Sequence, residues 1–124
     1  MAPTAHESSP AAFFAGHPEG LVIFHEIQGI IAELGATSMR VTKSQIAFRR
    51  RKGFAYVWRP AQYLRTSVPA VLSIALGRRV SSDRFKSVVN PSPGVWMHHI
   101  ELHGPQDVDR QVREWLREAF DRAG

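Results

Sequence analysis

The segment 39–58, MRVTKSQIAFRRRKGFAYVW, decides the fold class of this chain. Apolar and polar residues alternate over positions 39–42 and again over positions 45–50, which is the period of β-strands and not of helices. The basic residues before Gly53 predict a turn between the second strand and a third strand, which ends at Pro60. We therefore expect successive antiparallel strands in this segment.

The loop of this hairpin can close in two ways, and the choice decides which side chains share a face of the sheet. A two-residue loop would leave Phe54, Tyr56 and Trp58 outside the core. A three-residue loop with Gly53 in the left-handed conformation would place the aromatics on the same face as the apolar residues of the preceding strand. We predict the second register, because it buries the large aromatic side chains.

Helices are predicted on both sides of the strands. Ser9 followed by Pro10 is typical of a helix start, and a longer helix begins at Pro18 and ends at Gly35. Further strands are expected around residues 72–76, 87–89 and 95–102. This order predicts an α+β fold with one twisted antiparallel sheet of five or six strands, and with N-terminal and C-terminal helices packed on its aromatic-rich face. Residues 1–9 are expected to form a flexible arm and residues 10–124 a single domain.

The final helix has the most regular apolar pattern. It is predicted to begin at Gly104 and Pro105 and to bury a stripe of apolar side chains. Acidic and basic residues four positions apart predict exposed ion pairs on its solvent side. The stripe consists of Val108, Val112, Trp115, Leu116, Ala119 and Phe120, and the expected pairs are Asp109 with Arg113 and Glu118 with Arg122.

Composition excludes several classes of protein. The chain has 124 residues, of which 44% are hydrophobic and 22% charged, as in ordinary globular domains. It contains no cysteine, so thiol nucleophiles, cysteine zinc sites, iron–sulfur clusters and disulfides are ruled out. The first 20 residues lack Lys and Arg, and no stretch approaches the ~18 apolar residues of a membrane span. We therefore expect a cytoplasmic protein that does not enter a membrane.

The formal net charge of +5 is concentrated in the middle of the chain. Residues 40–86 carry twelve Lys and Arg residues against Asp83 alone, whereas the segments on either side are net acidic. Such a field favours an anionic partner, for example nucleic acid. The alternative is a solvated basic face without a partner, since an antiparallel sheet with one wet face needs polar residues there. The candidate polyanion-binding residues are Arg40, Lys43, Arg49, Arg50, Arg51, Lys52 and Arg59.

Signatures of nucleotide binding and hydrolysis are missing from the sequence, including the phosphate-binding P-loop, the nucleophile elbow and the HExxH helix. Their absence favours a non-enzymatic binding domain without a cofactor. Because the predicted register buries Tyr56 and Trp58, it leaves no exposed aromatics on which single-stranded bases could stack. The favoured function is therefore charge-driven binding of a polyanion by a protruding basic hairpin.

Two other functions are left open. If the helices leave a cavity over the apolar face, His98, Tyr56 and Trp58 would line it, and a small molecule could bind or react there. Otherwise His98 is a core histidine whose ring nitrogens find local partners. The third function is a homodimer or protein-interaction module, because an open sheet has two edges, expected near Met39 and Ser87.

Three polar residues near the end of the last strand have spacing that suits a metal. His99, Glu101 and His103 would share one face if the strand continued to residue 103, with consecutive side chains ~6.6 Å apart. However, Gly104 and Pro105 end the strand near His103, and polar residues on a solvated face need no special explanation. We therefore predict no metal site.

Four segments cover most of the chain: FAGHPEG at 14–20, VTKSQIAFRRRKGFAYVW at 41–58, VNPSPGVWMHHIEL at 89–102 and DVDRQVREWLREAF at 107–120. Together they resemble a family of small bacterial domains of unknown function. The resemblance implies an α+β domain that stands alone or ends a longer protein. It implies no activity, cofactor or catalytic residue.

Overall fold

Two helices begin the part of the chain that the computed structural model describes, residues 9–124. Helix α1 (Pro10–Phe13) is capped by Ser9, whose side-chain oxygen accepts a hydrogen bond from the backbone N–H of Ala12 at 3.0 Å. Helix α2 (Pro18–Leu34) follows. Both predicted helix starts are confirmed, and the predicted arm lies outside the described residues except for Ser9.

Six strands form one antiparallel sheet, which together with the helices confirms the predicted α+β class. They are β1 (Ser38–Val41), β2 (Ile46–Arg49), β3 (Gly53–Trp58), β4 (Ala70–Leu76), β5 (Phe85–Ser92) and β6 (Val95–Leu102). Their order in the sheet is β1-β2-β3-β4-β6-β5, so β1 and β5 are the edges, as expected. Strand β5 is longer than predicted, because two register shifts allow it to follow β6 over most of its length.

The helices cover one face of the sheet, and the core lies between them and that face. Helix α3 (Arg110–Arg122) buries Val112, Trp115 and Leu116, as its apolar stripe predicts. It begins later than expected, because Pro105–Asp107 form a 3-10 turn and Asp109 caps the helix by accepting the N–H of Val112. Strand β4 lies inside the sheet, and all seven of its residues are buried. None of the helices within residues 9–124 is long and apolar enough to cross a membrane.

The predicted register of the β2–β3 hairpin is wrong. Phe48 pairs with Ala55 and Arg49 with Gly53, so Phe54 is an extra residue in a β-bulge. The bulge turns Phe54 into the core, where its ring contacts Phe120 edge to face at 5.8 Å. The φ angle of Gly53 is not positive, so the expected left-handed turn is absent.

This register also reverses the expected faces of β3. Tyr56 pairs with Ala47 and Trp58 with Val71, on the side of the sheet away from the helices. We call this side the open face. A single bulge thus buries one aromatic of β3 and leaves the other two on the open face, because side chains alternate after the extra residue. The helices do cover the face that carries Phe48, Phe54 and Phe85, and only the expected placement of Tyr56 and Trp58 on that face is wrong.

The predicted ion pairs within α3 are also wrong. The charged residues of this helix instead contact residues of other elements, whose side chains lie closer than those one turn away. Within residues 9–124, the only ion pair four positions apart joins Arg110 to Glu114, at 3.5 Å. The others are Arg84 with Asp109 at 2.8 Å, Arg78 with Glu118 at 2.9 Å and Arg113 with Glu33 at 2.7 Å.

Candidate functional site on the open face

The tip of the basic hairpin is attached to the end of α3 and does not protrude as predicted. The backbone N–H groups of Arg51 and Lys52 both donate to the carbonyl of Ala123, at 3.0 and 3.1 Å. Arg50 donates to the carbonyl of Phe120 at 2.8 Å. The last carbonyls of a helix lack partners within the helix and form the negative end of its dipole, so they attract these donors.

Two members of the predicted polyanion-binding set therefore stabilise the fold. Arg50 contacts the end of α3, and Arg59 donates from Nε to the carbonyl of Phe13 at 3.2 Å. The Nη1 atom of Arg59 also lies 3.1 Å from Nε2 of His17. These contacts hold the guanidinium groups of Arg50 and Arg59 against helix carbonyls, away from the open face.

The rest of the set is dispersed, and two arginines lie on the open face. Arg40 pairs with Ala47 across β1 and β2, and Arg49 lies two residues further along β2, so both point to the side of Tyr56. Lys43 lies in the turn between β1 and β2. Arg51 and Lys52 are exposed at the hairpin tip. The structure therefore places Arg40 and Arg49, but not the whole set, beside the aromatic residues.

One transverse row of residues crosses all six strands on the open face. It runs from a basic residue at the β1 edge through an aromatic and a serine to a histidine near the β5 edge. Neighbouring strands lie ~4.8 Å apart, so the row spans roughly 24 Å. Its members are Arg40, Ala47, Tyr56, Ser73, His99 and Ser87.

A groove of about 490 Å³ lies over the middle of this row, and we call it the aromatic groove. This volume is in the range of small-ligand sites. A smaller groove of about 290 Å³ lies beside it and shares Trp58 and His99 as lining residues. The aromatic groove is lined by Ser44, Gln45, Tyr56, Trp58, Tyr63, Ser73, Met97 and His99.

A chain of hydrogen bonds forms part of the groove lining. Trp58 Nε1–H donates to Ser73 Oγ at 2.9 Å, and Ser73 Oγ lies 2.6 Å from Nδ1 of His99. The rings of Trp58 and His99 meet edge to face at 6.3 Å. Burial, and to a smaller extent the neighbouring His98, lower the pKa of His99. His99 is therefore neutral at pH 7, so no formally charged side chain lines the aromatic groove.

The expected pocket of His98, Tyr56 and Trp58 does not form, because His98 lies on the opposite face of the sheet. The His98 side chain is fully buried, and its Nε2 accepts the backbone N–H of Val80 at 2.9 Å. Its Nδ1 lies 3.0 Å from the carbonyl of Trp96, and the ring of Phe85 packs 4.7 Å away. Burial lowers the pKa of His98, although backbone hydrogen bonds oppose the shift. His98 is thus a core histidine with local partners.

The structure does not bring the three candidate metal ligands together. His99 directs Nδ1 at Ser73, and His103 lies beyond the end of β6, where its backbone N–H donates to Asp107 at 2.8 Å. Glu101 lies on the open face beside Val71. Across the described chain, no group of three His, Asp or Glu residues is placed to hold a metal.

Sequence reasoning missed Ser73 and Tyr63. Ser73 interrupts the apolar run AVLSIAL of β4, and a buried hydroxyl needs a hydrogen-bond partner, so this position carried a usable signal. Tyr63 follows the 3-10 turn Pro60–Gln62 and is 59% exposed, with its ring 6.3 Å from that of Trp58. Nothing local distinguishes it, because only the folded chain brings it to the groove.

Comparison with known proteins gives a family but no activity. A family model described as a domain of unknown function, DUF5655, matches residues 11–123. No curated protein and no solved structure matches the chain. Because the family match covers nearly the whole sequence, the chain belongs to the DUF5655 family.

Proposed function

We propose that this domain binds single-stranded nucleic acid across the open face of its sheet. The observation that carries the proposal is the register of β3, which places Tyr56 and Trp58 on the same face as Arg40 and Arg49. Proteins that bind single strands combine basic groups for the phosphates with aromatic rings for the bases. The proposal keeps the polyanion expected from the sequence and adds the stacking surface that the predicted register had buried.

Charge on the two sides of the sheet supports this choice. Arg78, Arg84 and Arg113 form ion pairs with acidic residues, all of which involve α3 or its cap. By contrast, Arg40 and Lys43 form no ion pair with any residue within 9–124. Ion pairs thus neutralise these three arginines on the helical side, while Arg40 and Lys43 beside the aromatic groove stay available to phosphates.

The aromatic residues supply surface for bases. Tyr63 is well exposed, and Trp58 is half-buried between the aromatic groove and the smaller one. A base against either ring contributes about 1–3 kcal/mol, and this contribution depends little on which base it is. Rings in the groove and charges at its margin would therefore engage the two chemical parts of a nucleotide.

The experiment is a titration of a fluorescent oligothymidylate, followed by anisotropy over a series of salt concentrations. We expect affinity to fall with salt, and a duplex of the same length to bind more weakly, because paired bases cannot reach the rings. Replacing Arg40 with Glu should weaken binding. The slope of the logarithm of affinity against the logarithm of salt concentration should become shallower by ~0.7 for each phosphate that the variant no longer neutralises. Arg117→Glu makes the same charge change on α3 and should bind as the unmodified protein does.

Two results would contradict the proposal. Binding that is undetectable at low salt would remove a nucleic-acid function altogether. Equal or tighter binding of the duplex would remove the role of the aromatic residues and leave charge alone. Thermal unfolding of each variant separates a defect in binding from a defect in folding.

A second candidate function is the binding of a small uncharged aromatic molecule in the same groove. The observation that favours it is the absence of formally charged side chains from the groove lining. Such a ligand would raise the unfolding temperature by mass action, and its affinity would be insensitive to salt. Salt dependence therefore discriminates between the two functions, and either is consistent with action in the cytoplasm.

A further inference from the structure

We infer that the aromatic groove selects bases that carry an exocyclic carbonyl, because His99 offers a neutral Nε2–H donor there. The inference rests on the proposed function, since it names the bases that the open face prefers. It depends on three observations, namely the hydrogen bonds of Ser73, the exposure of the other ring nitrogen of His99, and the uncharged lining of the groove.

Ser73 determines which nitrogen of His99 carries the proton. The indole N–H of Trp58 can only donate, so Ser73 Oγ accepts from it at 2.9 Å. The hydroxyl proton of Ser73 then needs an acceptor, and within residues 9–124 its one other partner is Nδ1 of His99, at 2.6 Å. Nδ1 is therefore the acceptor, and the proton of the neutral ring lies on Nε2.

His98 provides a comparison inside the same strand. Its Nε2 accepts the backbone N–H of Val80, so its Nδ1 carries the proton and donates to the carbonyl of Trp96. Two consecutive histidines of β6 thus adopt opposite tautomers, because they lie on opposite faces with different partners. Of these two histidines, His99 is the one whose ring keeps a nitrogen without a hydrogen-bond partner within residues 9–124, and it lines the aromatic groove.

The Nε2–H of His99 is available to a ligand. This nitrogen has no hydrogen-bond partner within residues 9–124. Every buried side-chain nitrogen or oxygen in that range does have a partner, so Nε2 of His99 is not buried. His99 also lines both grooves on either side of Trp58. Its donor therefore reaches the surface where a base would stack.

A fixed donor prefers bases with an acceptor that extends beyond the ring. Thymine carries a carbonyl at C4, whereas adenine carries an amino donor at C6. An amino group facing Nε2–H would leave both donors unpaired, and such desolvated groups cost free energy. One hydrogen bond of this kind corresponds to a roughly two- to tenfold difference in affinity. Oligoadenylate also stacks on itself when free, which by itself favours thymidylate, so the part of the preference that His99→Phe removes is the part that the donor supplies.

The first experiment compares oligothymidylate with oligoadenylate of the same length at one low salt concentration. We expect thymidylate to bind about two- to tenfold more tightly. His99→Phe retains a ring and lacks the donor, so it should abolish or reverse this preference while still binding both oligomers. Equal or tighter binding of adenylate by the unmodified protein would overturn the inference and leave the proposed function intact. Failure of both oligomers to bind would overturn the function itself.

The second experiment observes the tautomers directly by long-range ¹H–¹⁵N spectra of the histidine rings. We expect the Nε2–H form for His99 and the Nδ1–H form for His98. Ser73→Ala should leave His99 as a mixture of its two neutral tautomers, while the His98 signals stay unchanged. Ser73→Thr keeps the hydroxyl and should therefore show the Nε2–H tautomer alone. An Nδ1–H tautomer for His99, or no change in Ser73→Ala, would overturn the positioning role of Ser73.

Discussion

The guanidinium of Arg50 lies 4.0 Å above the ring of Phe120 and donates to the carbonyl of the same residue at 2.8 Å. One side chain thus joins the hairpin tip to the last turn of α3 through a cation–π contact and a hydrogen bond. Its sequence neighbour Arg49 lies on the other face, where its Nη2 donates to the carbonyl of Arg51 at 3.0 Å. Adjacent arginines therefore have different functions, one in stability and one beside the proposed binding site.

This difference gives a matched pair of variants. Arg50→Ala should lower the free energy of unfolding by about 1–2 kcal/mol, because it removes a cation–π contact and a hydrogen bond from a charged donor. Arg49→Ala should lower it much less and should instead weaken oligonucleotide binding. Urea titrations and anisotropy on both proteins make the comparison. Equal effects of the two substitutions in both measurements would mean that the faces are assigned wrongly.

Tyr63 tests the stacking surface with little risk to the fold, since 59% of it is exposed. Tyr63→Ala should lower oligonucleotide affinity by about 1–3 kcal/mol and leave the unfolding temperature nearly unchanged. Tyr63→Phe retains the ring and serves as the control, with affinity close to that of the unmodified protein. An Ala variant that binds normally would show that this ring does not contact the bases.

The attachment of α3 depends on its buried apolar stripe more than on its ion pairs. Trp115 is 7% exposed and packs against Phe85 with ring centroids 4.5 Å apart. Trp115→Ala should therefore cost about 3–5 kcal/mol of stability, measured in a urea titration. Arg113→Gln breaks the exposed pair with Glu33 and should cost less than about 1 kcal/mol. Comparable destabilisation by the two variants would mean that the wrong side of α3 has been assigned to the core.

Stability should depend on pH through the two histidines of β6. The pKa values of His98 and His99 are both lowered from 6.5, so the unfolded chain binds more protons than the folded chain below that pH. The free energy of unfolding should be highest at neutral pH and decline as the pH falls from about 6.5 toward the lowered values. Chemical denaturation between pH 7 and pH 5 would measure this.

A His98→Phe variant supplies the control for this pH dependence, because the buried imidazole is the group that must be protonated. Its stability should change less over the same interval. Carboxyl groups should contribute to the pH dependence mainly at lower pH. For Asp109, burial acts to raise the pKa, but hydrogen bonds from Arg84 and from the Val112 N–H outweigh it and lower the pKa from 3.8. If the free energy of unfolding of the unmodified protein does not change between pH 7 and pH 5, the assignment of two neutral histidines is contradicted.

Self-association through the β5 edge is the remaining prediction from the sequence. Val89 in this strand is 47% exposed, and an edge strand offers unpaired backbone groups to a second copy. Such a dimer would have twice the 13.9 kDa mass of the chain in light scattering and would dissociate on dilution. Val89→Lys should favour the monomer. A mass near 13.9 kDa at every concentration would contradict self-association.

The sequence by itself determined the elements of this fold and most of their limits. Periodicity of two over residues 39–58 identified the strands, and Ser9, Pro10 and Pro18 located the helix starts. These signals are local, since caps, prolines and side-chain alternation act within a few residues of one another. The stripe of α3 was predictable for the same reason.

Only the tertiary structure decided which side of each element meets which partner. A bulge of one residue at Phe54 reversed the faces of Tyr56 and Trp58, because side chains alternate along a strand and a single insertion moves all that follow. Arg50 found a carbonyl seventy residues away, which no local pattern encodes. Ser73 and His99 became partners because β4 and β6 pair in this register. The candidate site is made from such non-local pairings, and they are set by competition among distant contacts that periodicity does not record.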